Sequence, residues 1–496
     1  MKLLRLLRKI DFRVVNGRVE QEINHLVHDF RIVSTGDLFV CIKGTGKNGH
    51  HFIPEVVNKG AAAIVIEEEL KAEVKEEIPK EVCVIQVQNS RKALALLAAA
   101  FFDDPAQKLI TIGVTGTKGK TTTTYMIQTI LESAGIKTGL IGTIETRIGG
   151  VRIPATNTTP DAYVIQESFA QMVKAGCKAV VMEVSSQGLM MDRVTGIEFD
   201  YGIFTNLSKD HIGANEHKDF QDYMYWKSVL FQHCKTGIFN VDDSHAGEMM
   251  KNAKCRIETF GMEKKADLYA DKIQLFQKPG ILGLSYHLSG RIDMNVKMEI
   301  PGRFNVYNSL AAISVCLPFV KNLNQIEDAM SKVRVKGRGE MIKFSTEFSL
   351  IIDYAHNAMS LEHLLKSLRE YEPERIVTLF GCGGNRDKNR RFEMGEVSGR
   401  FSDVTIITSD NPRFEEPDAI IEDIITGIKN TGGNYIRIPD RKEAIKYALG
   451  HGRKGDVIVL AGKGHEDYQE IKGVKYKMDE REMISEIKRS QRFSEK

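Results

Sequence analysis

No apolar run in this 496-residue sequence is long enough to cross a bilayer: the best, Ala93 to Phe102, falls far short of the ~20 residues required. The opening MKLLRLLRKI carries positive charge but no uninterrupted apolar stretch, so neither a secretion signal nor a membrane anchor is expected. Paired cysteines are missing as well. The seven cysteines (Cys41, Cys83, Cys177, Cys234, Cys255, Cys316, Cys382) are odd in number, widely spaced and never in C-x-x-C, which reads as reduced thiols in a cytosol. Nor is there an excess of either charge. Sixty-nine Lys and Arg residues face 66 Asp and Glu, a net charge of +3, and they are spread along the chain, so no basic surface for nucleic acid is implied. Short repeats and low-complexity tracts are absent, and with 42% hydrophobic and 27% charged residues the composition is that of a soluble globular protein.

A chain of this length exceeds one hydrophobic core, and domains of about 100–200 residues suggest three. Asp103-Asp104-Pro105 interrupts the apolar helical stretch ending at Phe102, just before the apolar strand from Leu109, which puts a boundary near Ala106. Within the first block, Asp37 to Ile42 and Ala63 to Ile66 read as strands, and the charge-rich Glu67 to Glu77 reads as a solvated helix face. From Leu109 on, buried-type strands (Ala179–Met182, Tyr201–Phe204, Gly237–Asn240) alternate with helical stretches, the pattern of a parallel, doubly wound α/β sheet. A second alternation begins near Phe348 and runs through Ile376–Phe380, Val404–Ile407 and Val457–Leu460, so the last domain is also α/β and opens near Val335. The expected units are 1–106, 107–335 and 336–496.

Between the strand ending at Val114 and the helix that follows, the chain reads Thr115-Gly116-Thr117-Lys118-Gly119-Lys120-Thr121-Thr122. A glycine-rich turn from a strand into a helix lets backbone N–H groups and the helix N-terminus surround phosphate oxygens. Lys120 would meet the terminal phosphates and the Thr121 hydroxyl would ligate Mg²⁺. Gly113 lies one residue too early for the strict G-x-x-x-x-G-K-[ST] spacing, and an ordinary strand-to-helix turn is the alternative.

The compact T-G-T-K-G-K-T-T form resembles the ATP loop of the Mur ligases and of the related folylpolyglutamate synthetases. Asn157-Thr158-Thr159-Pro160, Glu183-Val184-Ser185-Ser186, Arg193 and Phe204 to His211 follow in the order seen in the Mur branch that adds the third amino acid to the peptidoglycan precursor. The resemblance implies a P-loop-type central domain (residues 107–335), an N-terminal UDP-substrate domain (1–106) and a C-terminal Rossmann-like domain for the incoming amino acid (336–496). It implies that Gly116, Thr117, Lys118, Gly119, Lys120, Thr121 and Thr122 bind ATP. Asn157, Thr158, Thr159, Ser185 and Arg193 would hold a UDP-muramoyl dipeptide, with Arg193 facing its carboxylate as guanidinium groups do. Taken alone, Thr-Thr-Pro is an ordinary helix start. Glu183 and His211 each follow a strand, where doubly wound sheets collect ligands, and by resemblance they bind Mg²⁺, although imidazole is a soft ligand for that ion. Lys227, in Tyr223 to Phe231, resembles the family lysine that carries a CO₂-derived carbamate; on general grounds it would be an exposed helix lysine.

Three features depart from the family pattern. Ile212 to Lys218 is about two residues longer, with His217 replacing the usual second histidine; Met191 stands where a polar contact is common; and Phe30 replaces Ser between Asp29 and Arg31.

Gly302 to Asn308 and Gly337-Arg338-Gly339-Glu340 resemble the family segments flanking the hinge into the last domain, with Asn305 and Arg338 as nucleotide contacts. Asp353-Tyr354-Ala355-His356 resembles the next ATP-side motif, without its usual following proline. Domain closure there would expel water from a reactive acyl phosphate. Asp410-Asn411-Pro412-Arg413 resembles the loop that presents an arginine to the distal carboxylate of meso-diaminopimelate, a group lysine lacks. Arg386, Gly462 and Glu466 match other positions of that pocket.

The reaction so implied is ATP-dependent, ADP-forming addition of meso-2,6-diaminopimelate to UDP-N-acetylmuramoyl-L-alanyl-D-glutamate through an acyl phosphate. Lys120, Lys227 and His211 would be catalytic, and the process would be cell-wall synthesis serving cell shape and division. A cytoplasmic monomer, bound to neither nucleic acid nor membrane, is expected. The alternatives are the same ligase using lysine or another diamino acid, a folylpolyglutamate synthetase, and an inactive ATP-binding scaffold.

Overall fold

The structure is a computed structural model describing residues 1–44, 46–213, 216–278 and 280–494. It divides into two compact units: residues 1–120 with 135–259, and residues 121–134 with 260–496. Among the described residues no helix is long and apolar enough to cross a membrane.

The first unit carries two sheets. In the N-terminal one, strands Leu26–Val27, Leu38–Val40, Ala63–Ile66 and Cys83–Gln86 run parallel, and Arg13–Asn16 closes the far edge antiparallel to Cys83–Gln86. The helix Ser90–Phe101 starts where the Asn89 side chain accepts the Lys92 N–H, and its buried leucines and alanines pack on Leu38, Val40, Val65 and Ile85. The Glu67–Glu77 segment is not one solvated helix: only Ala72–Glu77 is helical, and the Glu67 carboxylate accepts the Ser90 N–H and hydroxyl at 2.9 and 2.8 Å. An acid brought beside a helix start by the fold is drawn to its free N–H groups, which the charge count along the segment does not reveal.

In the second sheet of this unit, Ile110–Thr115 lies at the centre between Ala179–Glu183 and Phe199–Phe204, all parallel, with Cys234–Asn240 beyond the latter. The other side is mixed. Thr138–Ile141 is parallel to Ala179–Glu183, but Glu145–Ile148 and Val151–Pro154 continue as an antiparallel meander. Every residue of Ala179–Glu183 is buried, as expected of a strand covered on both faces.

In the second unit, Leu268–Lys278, Ile281–Gly290 and Met294–Met298 form a further antiparallel meander. The C-terminal sheet has the order Glu340–Ile342, Ser349–Asp353, Val457–Ala461, Ile376–Phe380, Val404–Ile407, Tyr435–Arg437, parallel except for its first strand. Alternate residues of these strands enter different cores. Ile351, Val457 and Val459 pack with Leu361, Leu365 and Ile424 on one face, while Leu350, Ile352, Ile458 and Leu460 pack with Ile445, Leu449 and Ile484 on the other. Helices on both faces make this the expected doubly wound domain, and loops at the carboxyl ends of its strands are the places for ligands.

Candidate functional site

Strand Ile110–Thr115 delivers the chain into the phosphate loop, and helix Lys120–Ser133 leaves it. Gly116 has φ of +148° and Gly119 +86°. A β-carbon on Gly116 would lie 2.0 Å from the Thr205 hydroxyl oxygen, so only glycine fits against this neighbour. The neighbour is a brace: Thr205 donates to the Lys118 carbonyl at 2.7 Å, Asn206 both accepts from and donates to the Lys118 backbone at 2.9 Å, and the Asn206 carbonyl accepts the Thr117 N–H. Thr117 and Tyr223 share a hydroxyl hydrogen bond of 3.1 Å.

Two lysines converge on this loop. Lys120 Nζ donates to the carbonyls of Gly116 and Thr117 at 2.8 and 3.0 Å. Lys227 is not the exposed helix lysine of the general expectation. It is 2% exposed, donates to the same Gly116 carbonyl at 2.9 Å, and lies 4.5 Å from the centre of the Tyr223 ring. Burial, and then the neighbouring Lys120 charge, hold its ammonium pKa well below the usual range.

The dipeptide-type motifs meet around Glu183, which is 1% exposed. Its carboxylate accepts the Thr143 N–H at 2.8 Å and the Thr143 hydroxyl at 3.1 Å, and Thr143 also shares a 3.0 Å hydrogen bond with Thr158. Thr159 donates to the Glu183 carbonyl and accepts the Ser185 N–H, both at 2.9 Å; Ser185 caps helix Ser186–Met190 through the Gly188 N–H. Arg193 donates to the Thr159 carbonyl at 2.7 Å and leans on the Met191 sulfur at 3.6 Å. Thr158, Thr159, Glu183, Ser185 and Arg193 thus form one connected set, with Asn157 exposed at its margin. The hydroxyls of Thr159 and Ser185 brace this set internally.

His211 does not stand at a strand end. It lies in the loop beyond Phe204, exposed, at φ +54°, with its Nδ1 3.0 Å from Glu216. His217 is the buried histidine of this segment, paired with Asp222 at 3.0 Å and set edge-on to Tyr223; Ala214 and Asn215 between them lie outside the described residues. Among the described residues no group of three His, Cys, Asp or Glu side chains is arranged around a common point. Mg²⁺ does not demand one, since it is commonly held through one or two carboxylates together with water and substrate phosphates. The oxygen donor Glu183, beside Gly142 where a β-carbon would come within 2.5 Å of its carboxylate, fits such an ion.

In the second unit, Arg338 lies over the Tyr354 ring, 4.9 Å from its centre, and Asp353 accepts the N–H groups of Gly339 and Ala355 at 2.7 and 2.9 Å. Gly337, at φ +67°, packs so closely on Gly464 and His465 that a β-carbon would stand 2.2 Å from their backbone, which brings the two motifs together. Buried Asn305 donates to the Pro301 carbonyl and accepts from Asn308, so it is held within its own helix start.

The 410–413 loop gathers a polar cluster. Arg413, at φ +52°, donates through Nη1 to the Gly384 carbonyl at 2.7 Å and through Nε to Glu470 at 3.2 Å. Arg386 runs beside it, both side chains flanking Gly383. Asn411 donates to Glu466 at 2.9 Å, and Gly462 lies against the Asp410 carboxylate. Two members went unassigned in the sequence reading. Lys463, fully buried, donates to Asn411 at 2.7 Å and lies 3.3 Å from both Asp410 and Glu466; Glu470 belongs to the hairpin Tyr468–Ile471/Val474–Lys477. The lysine between two glycines at Gly462-Lys463-Gly464 was the available signal for the first; nothing local marks the second.

This is the apparatus of a nucleotide-using enzyme, and comparison with known proteins agrees. Three family descriptions match successive stretches: "Mur ligase family, catalytic domain" over residues 22–102, "Mur ligase middle domain" over 114–316, and "Mur ligase, glutamate ligase domain" over 337–464. The chain belongs to the Mur ligase family of ATP-dependent, amide-bond-forming enzymes. A relative from Clostridium acetobutylicum, "UDP-N-acetylmuramoyl-L-alanyl-D-glutamate--2,6-diaminopimelate ligase 1", is 42% identical over 490 residues, covering 98% of this chain and 99% of the relative. A solved structure titled with the same ligase name superposes with a TM-score of 0.73 at 29% identity, covering 99% of both chains. The fold is shared with a MurF ligase from Thermotoga maritima solved in complex with ADP, at a TM-score of 0.60 and 18% identity, covering 95% of this chain and 99% of that one.

Proposed function

We propose that this chain joins meso-2,6-diaminopimelate to UDP-N-acetylmuramoyl-L-alanyl-D-glutamate with cleavage of ATP to ADP and phosphate, as a cytoplasmic monomer in peptidoglycan precursor synthesis. Residues 1–106 hold the UDP end of the substrate, 107–335 the ATP and 336–496 the amino acid. The γ-phosphoryl group passes to the D-glutamyl side-chain carboxylate, and the amine of diaminopimelate then attacks the acyl phosphate, releasing phosphate.

Gly116, Thr117 and Lys118 shape the ATP loop, and Lys120 with the N–H groups of Gly119 to Thr122 stabilises charge on the transferred phosphoryl group, where most of such catalysis originates. Asn305, Arg338 and Asp353 orient the rest of the nucleotide. Asn157, Thr158, Thr159, Ser185 and Arg193 place the dipeptide. Mg²⁺, when bound, neutralises phosphate charge, with Glu183, Thr121, His211 and the Lys227 carbamate as its protein neighbours. A neutral, buried Lys227 amine is the form that adds CO₂, releasing one proton as the N–C bond forms. The amino acid lies among Arg386, Asp410, Asn411, Pro412, Arg413, Gly462 and Glu466.

The observation that carries the amino-acid assignment is the loop around Arg413. The Arg413 guanidinium and the Glu466 carboxylate on one loop cluster, with the Arg386 side chain starting beside it, suit a molecule with a distal carboxylate and amine at one end. Phosphate release from ATP and the UDP-muramoyl dipeptide, measured with a panel of amino acids, tests it. Turnover with meso-diaminopimelate and little with lysine or ornithine is expected; equal turnover with lysine would overturn the amino-acid assignment, and turnover with folate substrates the whole reading.

A further inference from the structure

Five of the seven cysteines are buried singly in the cores, while Cys234 and Cys255 form a pair. Cys234 opens strand Cys234–Asn240, and Cys255 immediately precedes strand Arg256–Gly261. Two glycines make room for their sulfurs. Gly202 and Gly237 are partners in the parallel ladder; a β-carbon on Gly202 would come within 2.9 Å of the Cys234 sulfur, and one on Gly237 within 2.7 Å of the Cys255 sulfur. Laterally paired residues of a parallel ladder point to one face about 4.8 Å apart, so the two sulfurs occupy adjacent notches on the same face.

The thiols differ in environment. Cys234 is buried and Cys255 partly exposed. The hydrogen bond from Cys234 holds the Cys255 thiol down at about 7, while the same interaction, and then burial, push the Cys234 thiol up. An acidic, reachable thiol beside a buried one is the arrangement of an attacking and a resolving cysteine. Burial pushes the thiols of Cys41, Cys83, Cys316 and Cys382 up instead, which makes them inert.

We propose that Cys234 and Cys255 are a two-cysteine oxidation site that reacts with hydroperoxides and closes to a reversible disulfide. The Cys255 thiolate attacks the terminal peroxide oxygen; the O–O bond breaks, the leaving alkoxide takes up a proton, and the sulfur becomes a sulfenic acid. Cys234 then gives up its proton and displaces hydroxide from that sulfur, forming the S–S bond and one water. Two thiols lose two electrons, and the hydroperoxide is reduced to an alcohol, or to water in the case of hydrogen peroxide.

The test uses the full-length protein with hydrogen peroxide at about one equivalent, followed by titration of free thiols in denaturant and peptide mapping. Loss of two of the seven thiols, their return with dithiothreitol, and a single Cys234–Cys255 linked peptide are expected. Cys234→Ser should stop at a sulfenic acid on Cys255 that is captured by dimedone. With Cys255 removed, the partner thiol that remains is Cys234, which is buried and pushed up, so Cys255→Ser should slow thiol loss by about tenfold or more. No linked peptide in the wild type, a link between any other pair, or unchanged oxidation of a folded Cys255→Ser variant would overturn the proposal.

Discussion

Replacing Arg413 with alanine should separate binding of the incoming amino acid from everything else the enzyme does. The guanidinium is held through Nη1 by the Gly384 carbonyl and through Nε by Glu470, and among the described residues Nη2 donates to no protein acceptor. That edge would meet the distal carboxylate of diaminopimelate. Truncating one partner of a buried charged pair costs about 2–5 kcal/mol. Because the side chain is 21% exposed, the lower part of that range applies, about 2–3 kcal/mol. At ~1.4 kcal/mol per decade, kcat/KM for diaminopimelate should fall about 30- to 140-fold.

The loss should appear mainly in KM, because the proposed carboxylate contact would be made equally before and during the chemical step. Initial rates of ADP formation at varied diaminopimelate and varied ATP measure this directly, with KM for ATP expected within about threefold of wild type. Lysine, lacking the carboxylate, should be used by Arg413→Ala about as poorly as by wild type, so the discrimination ratio collapses. Arg413→Lys keeps the charge but loses the planar fork, and should fall between the two. An unchanged KM for diaminopimelate in a folded Arg413→Ala variant refutes the reasoning.

Lys120→Ala should leave the thermal transition near wild type and lower kcat by at least about a thousandfold, as expected where one lysine neutralises the transferred phosphoryl group; near-normal product formation would remove it from the ATP site. Lys227→Ala should be inactive and partly regained by added short-chain carboxylic acids, whereas full activity would make it an ordinary helix lysine. Gly116→Ala, whose new carbon would sit 2.0 Å from the Thr205 oxygen, should abolish turnover and lower the melting temperature; a wild-type melting curve contradicts the close packing. Burial, with Arg338, Lys336 and Arg481 around it, holds His465 down at about 3, against ~6.5 in an unfolded chain. The unfolded state therefore binds the extra proton first: stability from this group is complete above pH ~6.5 and falls toward pH 3, by up to ~1.4 kcal/mol per unit. Urea midpoints measured across that window should fall less steeply in His465→Asn; parallel curves would count against the neutral, buried histidine.

The phosphate loop and the last sheet were legible because their signals are local. A glycine-rich turn between strand and helix, or a five-residue apolar strand, needs little knowledge of distant contacts. The meander Leu268–Lys278, Ile281–Gly290 and Met294–Met298 is less legible: its first strand carries Asp271, Lys272, Gln274, Gln277 and Lys278, and its last is only five residues long. Glu67 looked like one more solvated charge until the Ser90 helix start was placed beside it. Glu470 is a similar case: its tie to Arg413 joins residues 57 apart in sequence through a hairpin stitched to the 410–413 loop. The motif around His211 is continuous in sequence and suggests a strand-end residue, yet the strand stops at Phe204.

Lys227 shows most clearly what burial adds to a motif. Its ammonium and that of Lys120 meet on one carbonyl oxygen at 2.9 and 2.8 Å, which sets two positive charges side by side in a partly dehydrated place. For an unmodified lysine this geometry is unfavourable twice over, through desolvation and through like-charge repulsion, and both effects drive the amine toward its neutral form. A carbamate would reverse the repulsion: the same position would then hold an anion, with Lys120 as its counter-ion. Burial and the Lys120 charge therefore favour the neutral, nucleophilic amine that would take up CO₂, and the Lys120 charge would also favour the anionic product. A segment resemblance alone supplies no such reason for the modification; the shared Gly116 carbonyl does.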